Sequence, residues 1–240
     1  MIAWCNQIAM KKKGAGFWNN EYGKKGAHLA ISIEPGEDLV KFTRWLEREY
    51  KRAYLNPLVA AIDLGCGNGR NIQYLAETYG IRGWGVDISS TAIAQARAHA
   101  ADLPLRFSVG SIADPITCPD ASQTIVLDMM ASHFLNKEER EALRAEVARI
   151  LKPGGWYLLK TFLLDGDLHA ERMLRQNPGS EPGTYIHPEI GVAEHVFTEP
   201  EIIEELGEHF FVHKVTKSHS HMKNGQAFKR RSMCVYAQRV

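Results

Sequence analysis

The run Ala60-Ala61-Ile62-Asp63-Leu64-Gly65-Cys66-Gly67-Asn68-Gly69-Arg70 decides the reading of this chain. Apolar, strand-forming residues end in an acid and break into three alternating glycines, after which Ile72, Leu75, Ala76 and Tyr79 repeat at helical spacing. The pattern predicts a strand, a tight loop and a helix. Glycine belongs in such a loop because a side chain would hold the backbone away from a ligand, while the helix points its unpaired N–H groups and positive dipole end into the loop. With the Asp63 carboxylate on one side and a helix N-terminus on the other, the loop suits a zwitterion better than a pyrophosphate. An amino-acid moiety is such a group.

Downstream, Gly80 ends the helix, and Gly83-Trp84-Gly85-Val86-Asp87-Ile88 gives a second strand with an acid at its end. Asp87 lies 18 residues beyond Gly69, close to the separation at which an acid reaches a ribose diol. Ser89-Ser90 cap an alanine-rich helix over 91–101, Pro104 to Val109 is strand three ending at Gly110-Ser111-Ile112, and Ile125 to Asp128 is strand four. Asn136 with Glu139 forms a capping-box signature for a helix that buries Leu143, Val147, Ile150 and Leu151. Pro153-Gly154-Gly155 turns the chain into strand five, Trp156 to Phe162. Strands alternating with helices imply a parallel sheet, whose ligands sit outside the carboxyl ends of the strands. Asp63, Asp87, Ser111 and Asp128 all fall at those ends.

Upstream, residues 1–36 read as an N-terminal arm or lid, in which Phe17-Trp18-Asn19-Asn20-Glu21-Tyr22-Gly23 places aromatic rings that could cover a bound cation or dock on the core. A helix follows from Glu37 to about Arg52, with Leu39, Phe42, Leu46 and Tyr50 on one face. Residues 37–240 read as the main domain, interrupted by an insertion at 164–197 that holds Tyr185, His187, Glu189, Glu194 and His195. Thr198 to Glu201 opens another helix with a capping box, and Phe210 to Thr216 with Arg231 to Ala237 read as an antiparallel pair around Asn224-Gly225.

With 240 residues, 45% of them hydrophobic and 24% charged, the chain can bury one substantial core. No apolar run approaches membrane-spanning length and the first residues lack signal-peptide order, so a cytoplasmic protein with no membrane partner is expected. Four scattered cysteines indicate neither zinc nor disulfides, and the spacing of His187, Glu189, Glu194 and His195 matches no closed metal set. The net charge of +1 hides a segregation: residues 165–208 hold eleven acids against two arginines, and residues 209–240 hold seven Lys or Arg and no acid. Such blocks read first as solvated surface, and secondly as a surface for a polyanion such as RNA.

Asp63, Gly65, Gly67 and Gly69 meet the acid-x-Gly-x-Gly-x-Gly pattern of motif I, and the segment resembles the class I S-adenosylmethionine (SAM) dependent methyltransferases. The resemblance covers 59–163, with Lys152 to Gly155 similar to the turn before strand five in many members. It implies a doubly wound, Rossmann-like, mainly parallel seven-stranded sheet with a C-terminal antiparallel hairpin. It also implies SAM, or S-adenosylhomocysteine as product, held by Asp63, Gly65, Cys66, Gly67, Asn68, Gly69, Asp87, Ile88, Ser111, Ile112, Asp128 and Met129. Many relatives have Gly-Asp after strand three where this chain has Gly110-Ser111, and Asp128-Met129-Met130-Ala131 differs from the Asn-Pro-Pro-Tyr type of many nucleobase or protein amine methylases.

The implied reaction is in-line transfer of a methyl group to an acceptor, most simply a small molecule. It asks the protein mainly for positioning and exclusion of water. His133, just past strand four, is the candidate to contact or deprotonate the acceptor, with Trp18, Tyr22, Tyr185 and His187 as further substrate candidates. A SAM-binding module without catalysis and a nicotinamide oxidoreductase are the competing readings, the latter disfavoured by Asp63 and the glycine spacing.

Overall fold

The computed structural model describes residues 14–23, 32–189, 191–218, 221–223 and 226–240. Seven strands form one sheet in the order β3-β2-β1-β4-β5-β11-β8: β1 (Ala60–Leu64), β2 (Arg82–Asp87), β3 (Leu105–Val109), β4 (Gln123–Met129), β5 (Leu151–Phe162), β8 (Phe210–Lys217) and β11 (Ser232–Arg239). β1, β2 and β3 pair in parallel, while β11 runs antiparallel to both β5 and β8. This is the Rossmann-like sheet expected from the alternating elements, with the C-terminal antiparallel pair in place. Asn224 and Gly225 lie outside the described residues. The chain divides into two compact units, one of residues 1–116 with 123–127 and the other of 117–122 with 128–240.

In the first unit, α1 (14–23) precedes α2 (Glu37–Tyr50), α3 (Arg70–Tyr79) and α4 (Ser90–His99). α2 forms because Leu39, Phe42 and Leu46 make one apolar stripe, all fully buried, with Glu37 and Asp38 in its first turn and Arg48 in its last. Its Thr43 hydroxyl lies 2.9 Å from the Tyr74 hydroxyl of α3. Gly80 closes α3 in the left-handed conformation, its N–H returning to Ala76 and Leu75 carbonyls, and the Ser89 side chain caps α4 by accepting from Ala92 N–H. Ile62, Leu64, Ile72, Leu75, Ile93 and Ala96 are fully buried around this sheet.

In the second unit, β4 leads into a 3-10 turn (Ser132–Phe134) and α5 (Lys137–Ile150), which opens with the expected Asn136–Glu139 capping box. β5 begins at Leu151 rather than after the Pro153-Gly154-Gly155 turn, with Gly154 inside it at φ 74°. The described residues of the insertion form regular elements: α6 (Leu168–Gln176) and a small antiparallel pair, β6 (Thr184–Ile186) with β7 (Ala193–His195), precede α7 (Glu199–Leu206). Asp167 starts α6 by accepting from His169 and Ala170 N–H groups, and Ala170, Met173, Tyr185 and Val196 form a small core beneath it. A further pair, β9 (His221–Lys223) and β10 (Gln226–Lys229), follows β8.

The acidic block is solvated only in part: Glu171, Glu189, Glu204 and Glu208 are exposed, as expected, but others are not. Asp167 and Glu194 are buried, Lys217 pairs with Glu199 and Asp165, and Arg230 pairs with Glu194, so acids of the insertion meet cations of the basic C-terminal block. Replacing Asn136 by Ala removes the side-chain half of the α5 capping box. The expected loss is about 1 kcal/mol in chemical denaturation, with Asn136→Ser restoring most of it.

Candidate functional site

The loop between β1 and α3 turns on Gly65, Gly67 and Gly69, with φ of 69°, 55° and 81°. A Cβ on Gly67 would collide with the Tyr22 hydroxyl, and one on Gly69 would stand 2.9 Å from the Phe107 ring and 3.0 Å from Ala96 Cβ. Gly65 and Cys66 N–H groups donate to the Val86 carbonyl at 2.8 and 3.0 Å, so the loop is bound to β2 from its first residue. Gly69 is the N-cap of α3 and offers no side-chain cap to that helix. Asn68 Nδ2 donates to the Ser32 carbonyl, Arg70 to the Glu34 carbonyl and Gly36 N–H to Asn71 Oδ1, which ties residues 32–36 to the start of α3.

Asp87 joins three pieces of backbone. Its Oδ2 accepts from Gly67 N–H and its Oδ1 from Ser89 N–H, both at 2.8 Å. Each oxygen keeps a second lone pair for a ligand. Burial pushes the Asp87 carboxyl up, against the two backbone hydrogen bonds, and the net shift is upward. Asp63 pairs with Gly85 across the parallel ladder, two residues before Asp87, so strand alternation puts both acids on one face at one end of the sheet. Cys66 is buried under the loop, and burial pushes its thiol up. Ile88 follows Asp87. At the end of β3, Ser111 Oγ accepts from Ala113 N–H, and both Ser111 and Ile112 are half-buried.

α1 lies over this loop. Asn19 Oδ1 accepts from Thr91 N–H at 3.1 Å and from the Ser89 hydroxyl, and Gln95 Nε2 donates to the Tyr22 carbonyl. Burial raises the Tyr22 phenol, with further pushes from Asp87, Cys66 and Asp63, so the hydroxyl stays protonated as a donor. Trp18 stacks at a tilt 6.5 Å from the Tyr22 ring. Asn19 escaped the sequence reading, although an Asn one turn before a Tyr in an aromatic helix is a visible polar outlier.

In the second unit, Asp128 is fully buried and its carboxylate is engaged locally: Oδ1 accepts from Ala131 and Ser132 N–H groups and Oδ2 from the Tyr157 hydroxyl, each at 3.1 Å. It shapes the turn after β4. Met129 ends the strand half-buried, and Met130 takes φ 74° with its N–H on the Lys160 carbonyl at 3.0 Å, a left-handed conformation a Met side chain resists. His133 is 1% exposed, neither ring nitrogen has a hydrogen-bond partner among the described residues, and its ring packs 4.1 Å from Phe134 and 4.9 Å from Phe162. Burial lowers it to about 3.

The insertion brings together residues the sequence left separate. Tyr185 and Glu194 are register partners of β6 and β7, and the Tyr185 hydroxyl donates to Glu194 Oε2 at 2.7 Å. Arg230 Nη1 meets the same oxygen at 2.6 Å, and its guanidinium carbon sits 3.2 Å from the Phe162 ring centre. Burial pushes Glu194 up, but the Arg230 charge and the Tyr185 hydrogen bond outweigh it and hold the acid below its ordinary range. His195 takes Thr184 Oγ1 on one nitrogen and Glu201 on the other, both at 2.9 Å, linking β7 to α7. His187 stays half-buried, its Nδ1 accepting from Glu189 N–H. Glu194 and His195 are thus committed to protein partners, and no group of three or more His, Cys, Asp or Glu among the described residues is arranged to hold a metal. Arg230 was hidden in the sequence by its place in a basic run.

A Rossmann-like sheet, an acid-flanked glycine loop and a second acid bonded to that loop define a nucleotide-type binding fold of the methyltransferase kind. Residues 61–155 match a family model described as a methyltransferase domain. Over that segment the chain is similar to methyltransferase domains. It is similar to the crystal structure of a SAM-dependent methyltransferase from Methanosarcina mazei, at 25% identity and a TM-score of 0.63 over 75% of this chain and 92% of that one. It is 33% identical over 98 residues to a fatty-acid O-methyltransferase of Mycolicibacterium smegmatis, covering 40% of this chain and 35% of that protein. It is 26% identical over 144 residues to a glycine/sarcosine/dimethylglycine N-methyltransferase of Actinopolyspora halophila, covering 58% of this chain and 25% of that protein. The matches thus span well under half the length of these two curated relatives.

The depressed His133 has a signed consequence. Its folded value lies below the ordinary imidazole value of about 6.5, so the unfolded chain takes up a proton that the folded chain refuses. This group therefore lowers stability as pH falls from about 6.5 toward about 3. By NMR, the His133 ring signals are expected to show no titration between about pH 5 and 8, whereas an inflection near about 6.5 would contradict the burial.

Proposed function

We propose that this chain transfers the methyl group of SAM to a small-molecule acceptor and releases S-adenosylhomocysteine. The observation that carries the reading is the Asp87 carboxylate bonded to Gly67 N–H, because it sets an acid with spare lone pairs against a loop whose glycines leave room for backbone contact. Gly65, Cys66, Gly67, Asn68 and Gly69 would line the methionyl part, Asp63 its amino end, Asp87 the ribose hydroxyls, and Ile88, Ser111 and Ile112 the adenine. When bound, SAM supplies a sulfonium leaving group, and the chain's own task is to orient the acceptor and keep water out. Tyr22 and Trp18 of α1 would close over the loop, consistent with the arm acting as a lid.

Asp128 serves in this reading as the organiser of the turn that carries Met129 and His133. His133, neutral and unprotonated near pH 7, would contact the acceptor by hydrogen bond rather than as a strong base. A small acceptor is favoured over RNA because Lys217 and Arg230 of the basic block pair with acids of the insertion. Two relatives are named for a fatty acid and for glycine and its N-methyl derivatives, which are small molecules. A cytoplasmic setting fits Cys66, Cys118 and Cys234, buried and unbridged, and no helix among the described residues is long and apolar enough to cross a membrane.

Incubation of the chain with methyl-labelled SAM and a small-metabolite extract is expected to give S-adenosylhomocysteine and label in the low-mass fraction. Asp87→Asn is expected to raise the KM for SAM by at least about tenfold, as loss of a charge-assisted hydrogen bond implies. SAM binding with no S-adenosylhomocysteine formed would instead favour a non-catalytic module.

A further inference from the structure

Arg230 carries an unmatched hydrogen-bonding edge inside the second unit. Its Nη1 is fixed by Glu194, yet Nε and Nη2 are buried and have no partner among the described residues. Those two nitrogens form the side-on fork of the guanidinium, two parallel N–H groups spaced for the two oxygens of a carboxylate. The plane of the fork is set, because Phe162 lies against its face at 3.2 Å and Glu194 is held in turn by Tyr185. His133 supplies the second observation. It is 1% exposed, both ring nitrogens lack partners among the described residues, and its ring packs on the same Phe162. β7, which carries Glu194, packs against the 3-10 turn that carries His133.

Buried donors left unmatched are costly, and several converging on one phenylalanine call for an acceptor-rich group. The Arg230–Glu194 pair is neutral overall, which tolerates a monoanion better than a phosphate dianion. We infer that the Arg230 fork, with His133 beside it, holds a carboxylate of the methyl acceptor, so that the acceptor class is a carboxylate-bearing small molecule. The inference rests on the methyl-transfer reading.

The test uses the whole chain, with and without S-adenosylhomocysteine, and two probes, hexanoate and inorganic phosphate. Binding is followed by calorimetry and by the His133 ring signals. Hexanoate is expected to bind and to shift His133. Arg230→Lys, which keeps a cation beside Glu194 and Phe162 but lacks the fork, is expected to fold and to weaken hexanoate by at least about tenfold while S-adenosylhomocysteine affinity changes by less than about twofold. Arg230→Gln is expected to lose hexanoate as well, with a greater risk to folding because Glu194 is left buried without its partner. Hexanoate that leaves His133 unmoved, that binds the Lys variant equally, or that is outcompeted by phosphate overturns the inference. Hexanoate binding by a chain that never binds S-adenosylhomocysteine would leave the carboxylate edge standing and sink the methyl-transfer reading instead.

Discussion

One carboxylate holds the first unit in its working shape. Asp87 receives the N–H of Gly67 from the glycine loop and of Ser89 from the start of α4. A buried carboxylate is tolerable only when such donors replace water, and here the donors are backbone groups at the two bends that most need fixing. The loop's other anchors, Gly65 and Cys66 on the Val86 carbonyl, act on the strand that ends in the same acid. The glycines follow from this constraint, since φ near +55° at Gly67 and contact with Tyr22 leave no place for a side chain. Asn19 and Gln95 then hold α1 to α4.

The second unit is organised by a buried polar network. Asp128 gathers Ala131, Ser132 and Tyr157, which bends the chain after β4 and permits Met130 its left-handed backbone. The β6–β7 register sets Tyr185 opposite Glu194 and Thr184 opposite His195. From that register come the Tyr185–Glu194–Arg230 chain and the Thr184–His195–Glu201 chain, the latter ending at the α7 capping box. Shifting either short strand by one residue would turn these side chains to the opposite face. Beside this network lie the open edge of Arg230 and the bare imidazole of His133, together with unmatched single atoms of Arg140, Thr161, His169 and Arg231.

What the sequence made legible was periodic or punctuated. The β1–α3 unit, the capping boxes at Asn136 and Thr198 and the antiparallel pair at the C-terminus follow from patterns of local residues whose physics does not depend on distant neighbours. The insertion was opaque for the opposite reason. α6 is a 9-residue helix announced by little more than Asp167, and β6 and β7 are three residues each, too short to show alternation. Arg230 and Glu194 lie 36 residues apart, and their charges read as two solvated blocks until the fold pairs them. His133 was legible as a position at the end of β4, but its neutrality depends on Phe134 and Phe162 closing around it.

In the methyl-transfer reading, Asp87 and the loop it bonds receive an aminoacyl nucleoside. A crystal structure with S-adenosylhomocysteine bound tests this most directly. Both ribose hydroxyls are expected on the Asp87 oxygens, with the amino-acid end against Gly65 to Gly69 and Asp63. A nucleoside seated elsewhere, with Asp87 holding only Gly67 and Ser89, would contradict it.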